Sequence, residues 1–155
     1  MNYRQYLRSA ERHLQICKQL LVDYDSLSDA KRKSYLIAEV YYLSGYILES
    51  SLSYAFFSHI RYSGDIYLSE HYKNNGFKTH DIRAKYHYMN KQSCFIHDLV
   101  FVSRAHTSKE LQNLFNDWNV NYRYEHYSNL DKTLIISYIN EIEQDLVKIK
   151  TNYPS

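Results

Sequence analysis

Apolar residues recur in alternating four- and three-residue steps through Tyr3, Leu7, Ala10, Leu14, Cys17 and Leu21, one stripe of a helix predicted over residues 2–23. Arg4, Arg8, Glu11, Arg12 and Lys18 fall largely outside that stripe, as a solvated face would. The polar run 23–29 reads as a turn, with Ser28 or Asp29 capping a second helix. That helix is predicted over 30–62, and its middle, 41–57 (YYLSGYILESSLSYAFF), is apolar on more than one face. Such a segment has no side left for solvent, so it is expected as the central helix of a bundle. It carries Gly45 and, one turn later, Glu49, a carboxylate that needs a partner if buried.

Gly64-Asp65 is expected to break this helix. Residues 66–73 read as a short helical piece, stopped by Asn74-Asn75-Gly76. Over 77–93 helical periodicity is weak and the segment is basic and tyrosine-bearing, so an insertion or flexible excursion is expected. Apolar spacing returns through Phe95, Ile96, Leu99, Val100, Val102 and Ala105, predicting a third main helix over 94–105. Thr107-Ser108-Lys109-Glu110 matches a capping box for a fourth helix reaching 118. Residues 119–129 form a polar-aromatic loop in this reading. Ser128 or Asn129 then caps a last helix with Ile135, Tyr138, Ile142, Leu146 and Ile149 on one face. Neither a repeat nor a second domain interrupts residues 1–155.

Composition narrows the fold class. Three glycines and one proline among 155 residues are too few turn residues for a sheet-rich fold. The expectation is therefore all-α: an up-and-down antiparallel bundle of four to five main helices, with an insertion near 64–93. Eighteen tyrosines suit wide helix interfaces, where the ring packs and the hydroxyl stays wet or partnered. A net charge of +2 supplies no strong global field toward nucleic acid or membrane. Cys17 and Cys94 match no metal spacing, and two isolated thiols fit a reducing compartment. The polar N-terminus and the lack of a long apolar run predict a cytoplasmic protein that does not enter a membrane. None of the eight histidines shows the paired spacing of a zinc helix, so no metal or other cofactor is expected.

Tyr41-Tyr42-Leu43-Ser44-Gly45-Tyr46-Ile47-Leu48-Glu49, followed by Leu52, is similar to the signature helix of HEPN-domain proteins. His97-Asp98-Leu99 resembles the triplet that opens a later helix in one branch of that family. Trp118 with Tyr122-Arg123-Tyr124 resembles the tryptophan and arginine-tyrosine pair before that branch's last helix. The resemblance runs from about residue 38 to the last helix. It implies a HEPN-like antiparallel bundle that forms a homodimer, in a family rich in RNA-cleaving toxins and nucleic-acid defence proteins. An antitoxin or other protein is the partner such a setting implies.

The family's ribonuclease motif is an arginine, four to six residues, then a histidine, often followed by one residue and a tyrosine. Here Arg123 reaches His126 after two residues, Arg83 reaches His87 after three, and Arg104 is followed by Ala105 and His106. Arg8 and His13 have the four-residue gap but lie in the first helix, with Gln15 in the place of the trailing tyrosine. The expectation is thus a non-catalytic domain binding nucleic acid, a nucleotide or a partner protein in a bacterial defence or toxin–antitoxin setting. One alternative is a metal-independent ribonuclease toxin; another is a structural module whose tyrosine-rich face binds protein.

Three places could carry chemistry. Arg123 and His126 could supply the phosphorane-stabilising cation and the base of metal-free RNA cleavage, with Tyr122, Tyr124 and Tyr127 stacking on bases. The plainer reading has Arg123 anchoring its loop to a carboxylate. The stretch 61–91 holds Arg61, Lys73, Lys78, Arg83, Lys85 and Lys91, interleaved with Tyr62, Tyr67, Tyr72, Tyr86 and Tyr88, a mix that suits single-stranded nucleic acid, where cations follow phosphates and rings stack on bases. Those tyrosines could equally pack back onto the bundle. Glu49 could be an active-site acid or base. It is expected instead as a structural acceptor for Arg123, the His97 side chain or a helix-three amide, which makes Glu49 and His97 structural polar residues.

Overall fold

A computed structural model describes residues 1–74, 77–94, 108–124 and 130–154. Among them are six α-helices and no strand: α1 (Tyr3–Ser26), α2 (Ala30–His59), α3 (Glu70–Asn74), α4 (Ile82–Lys91), α5 (Lys109–Asp117) and α6 (Lys132–Asn152). Short 3-10 turns occupy Ile66–Leu68 and Val120–Tyr124. The all-α expectation holds. The helix expected over 94–105 lies, beyond Cys94, outside the described residues. No helix among those described is long and apolar enough to cross a membrane.

Local chemistry sets the helix ends. Asn2 and Gln5 form a reciprocal capping box at the start of α1: Asn2 accepts the Arg4 N–H at 2.9 Å and Gln5 accepts the Asn2 N–H at 2.7 Å. Asp29 caps α2. Ser108 caps α5 by accepting the Leu111 N–H at 3.3 Å, one residue beyond the register of the expected Thr107–Glu110 box. Asp131, rather than Ser128 or Asn129, caps α6 through the Leu134 N–H at 2.8 Å.

The end of α2 departs from expectation for a physical reason. The helix stops at His59, and Arg61 turns into the left-handed region with φ 50°. Its N–H bonds to the Ser58 carbonyl, and the Tyr62 N–H bonds back to the Phe57 carbonyl, both at 3.0 Å. This is a Schellman motif with an arginine where glycine is usual, closed by the Tyr62 ring packing 5.7 Å from that of Phe57. Gly64 lies three residues too late to make this turn. Ser93, with φ 57°, ends α4 in the same way.

α1 runs antiparallel to both long partners. Against α2 it pairs Tyr3 with Tyr54 and His13 with Tyr46, while the Cys17 thiol reaches the Val40 carbonyl. Against α6 it carries three ion pairs in steps of seven α1 residues, Glu11–Lys150, Lys18–Glu143 and Asp25–Lys132. These are largely exposed and fix register more than they stabilise. α2 and α6 therefore run in the same direction, as the Tyr41–Tyr138 ring contact and the Tyr54 hydroxyl on the Tyr153 carbonyl at 2.5 Å also show. α2 is the central helix: Ile37, Val40, Tyr41, Ile47, Leu52, Tyr54, Ala55, Phe56 and Phe57 are all buried.

Residues 77–93 correct the expected excursion. After Phe77, which stacks on Phe56 at 4.6 Å, Asp81 caps α4 and the helix packs on α2 with Ile82, Lys85 and Met89 buried. The spacing of that face is helical, but a lysine occupies its centre, so a reading that counts only apolar residues misses it.

Candidate functional site

Glu49 faces α4 from the middle of α2 and is only 13 % exposed. Its Oε2 lies 2.8 Å from His80 Nδ1, and its Oε1 lies 3.6 Å from the Lys85 ammonium. Lys85 has no solvent exposure, donates to the Phe77 carbonyl at 2.6 Å and sits 5.1 Å from the centre of the Phe77 ring. Burial pushes its pKa below the ordinary lysine value, and the Glu49 charge pulls in the opposite direction. The partners of Glu49 are thus two residues of the segment expected to be an excursion. Of the partners named from sequence, His97 and the Arg123 side chain lie outside the described residues. Above Glu49, Tyr46 stacks with His13 at 5.9 Å and meets His80 and Trp118 edge-on, each at 5.7 Å. Burial, opposed by the Ser9 hydrogen bond and helped by the Arg12 charge, lowers the His13 pKa, and the ring of this histidine packs on Tyr46.

The basic-aromatic patch survives only in part. Lys73, Lys78, Arg83 and Lys91 are exposed, and Tyr86 is half-buried. Lys85 is removed from that surface by its burial under α4. Tyr88 is half-buried: its hydroxyl lies 2.6 Å from His71 Nδ1, and its ring packs on Phe56 and Phe77. Arg123 falls within the Val120–Tyr124 turn, but its side chain, like His126 and Tyr127, lies outside the described residues. Among the described residues no group of three His, Cys, Asp or Glu could hold a metal ion.

A different place gathers cations and rings. Where α1 begins and α2 and α6 end, a cleft of about 600 Å³ is lined by Arg4, Arg61 and His59, with Tyr3, Tyr62 and Tyr153 among its walls. None of the described residues lining it is Asp or Glu. Neither guanidinium forms an ion pair among the described residues. Arg4 lies 5.9 Å from the Tyr3 ring centre, and Arg61 is held in its left-handed turn. Asp65, just past Gly64, is taken up by the Met1 amino group and the Tyr67 N–H. The wall at Tyr153 is fixed from several sides. Its carbonyl accepts the Tyr54 hydroxyl, its ring meets His59 edge-on at 6.0 Å, and burial with the nearby Cys94 pushes its pKa up to about 12.

Sequence reading put Arg61 and Tyr62 in the basic-aromatic stretch but did not join them to Arg4, His59 and Tyr153, because the walls of the cleft come from segments far apart along the chain. A signal was nevertheless present. Once α1 and α2 form a hairpin around residues 27–29, Arg4 must stand near the end of α2 and hence near Arg61. Compared with protein-family models, curated proteins and solved structures, the chain finds no match in any of the three.

Proposed function

We propose that this chain is a HEPN-like helical domain that binds single-stranded nucleic acid without cleaving it, in the terminal cleft rather than along α4. The carrying observation is the meeting of Arg4, Arg61 and His59 with three tyrosine rings in a cleft whose described lining holds no carboxylate. Arginine suits this task because its planar guanidinium pairs with phosphate bidentately and stacks on aromatic faces. Tyrosine rings beside the cations offer sequence-tolerant stacking for bases. The resemblance of residues 41–52 to the HEPN signature helix sets the biological frame, a homodimer in a bacterial defence or toxin–antitoxin system.

The test is fluorescence anisotropy of a labelled single-stranded RNA at several salt concentrations. Expected are a Kd that weakens with salt and a loss of binding in Arg4→Ala and Arg61→Ala. Binding that ignores both substitutions but disappears when Lys73, Lys78, Arg83 and Lys91 are changed together would move the interface back to α4.

A further inference from the structure

Building on that assignment of the cleft, we propose that it takes the phosphate monoester of a nucleoside, meaning a phosphorylated strand end or a mononucleotide, rather than a run of internal phosphodiesters.

Charge argues for it first. Two arginines line the cleft with no acidic side chain among its described lining to offset them. An internal phosphodiester brings a single negative charge. A monoester carries about −1.5 to −2 at neutral pH and three acceptor oxygens, so it matches two forked guanidiniums. Size argues for it next. About 600 Å³ lies within the range of small-ligand sites, whereas strand-tracking grooves cover about four to sixteen nucleotides. Backbone conformation is the third, independent observation. Arg61 occupies the glycine position of a helix-ending turn, a conformation that costs a non-glycine residue stability. Glycine would make the same turn without strain, but would bring no guanidinium to the cleft.

The experiment compares one short RNA in three forms: 5′-phosphorylated, 3′-phosphorylated and unphosphorylated. A nucleoside monophosphate and inorganic phosphate serve as competitors. One phosphorylated form should bind about tenfold more tightly than the unphosphorylated strand, a gap that Arg4→Ala and Arg61→Ala erase. The monophosphate should compete at concentrations where inorganic phosphate does not. Effective competition by the monophosphate points to a mononucleotide ligand, and a need for the strand points to its end. Equal binding of all three RNAs, still lost in the arginine variants, overturns the monoester inference while leaving the cleft as the interface. Inorganic phosphate competing as well as the monophosphate also overturns it. Binding indifferent to both arginines removes the cleft altogether.

Discussion

The Trp118 indole lies directly over Gly45: a Cβ added at residue 45 would stand 1.8 Å from Trp118 Cε2. The ring cannot slide away freely, because its Nε1 donates to the Tyr42 carbonyl at 3.1 Å and Tyr46 packs edge-on against it. Gly45 is therefore the seat that lets the end of α5 close on α2. Gly45→Ala should cost about 3 kcal/mol, near the upper end for overpacked cores. Urea denaturation of Gly45→Ala, Trp118→Ala and the double variant reads the coupling directly. The two losses should fall short of additive by about 1 kcal/mol or more, since the alanine methyl harms only a protein that retains the indole. Strict additivity would mean that the two residues do not share this seat.

The Lys85 ammonium is expected to tether α4 to α2. Lys85→Met keeps the buried hydrocarbon but leaves the Phe77 carbonyl without its donor and Glu49 with His80 alone. A loss of about 3 kcal/mol is expected, since one half of a buried pair then stands without the other. Lys85→Ala should cost more, because it also opens a cavity. Glu49→Gln, which keeps an acceptor, should cost less. Limited proteolysis within 77–93 should speed up in the same order, and unchanged cleavage in Lys85→Met would refute the tether.

His13 gives acid sensitivity a defined source. Its pKa is lowered in the fold, chiefly by burial, so between that value and the ordinary histidine value the unfolded chain holds more protons. Stability rises with pH across that window and falls as pH drops through it. Urea midpoints measured from pH 7 to pH 5 should decline, and His13→Gln should flatten that part of the curve. An identical slope in the variant would assign the effect to other groups.

Legibility from sequence followed the kind of interaction involved. The α1 stripe and the α2 core could be read because apolar spacing alone builds them. The Asp29 cap was also within reach, since capping is local chemistry, whereas the cap of α5 fell one residue beyond the expected box. α4 was hidden because its buried face is centred on Lys85, whose burial makes sense only once Glu49 and the Phe77 carbonyl stand opposite. The end of α2 was hidden because arginine took a glycine's place at 61. The cleft needed three chain segments brought together, which no local pattern encodes. At α4 and at the end of α2 the sequence rule failed where a polar or strained residue had been placed against its usual preference.

Arg61 allows stability and binding to be separated. Arg61→Gly keeps the helix-ending turn and relieves left-handed strain worth about 1 to 2 kcal/mol, partly offset by the greater freedom of glycine in the unfolded chain. The net expectation is a protein about 0.5 to 1 kcal/mol more stable that binds RNA less tightly. Arg61→Ala removes the same guanidinium while keeping most of the strain, so it should lose binding equally without the stability gain. The pair of variants thus distinguishes a ligand-directed arginine from one that merely ends a helix. Thermal unfolding and RNA anisotropy on the same preparations supply both numbers. If Arg61→Gly gains stability and still binds RNA as the parent does, the strain at this turn has nothing to do with the cleft.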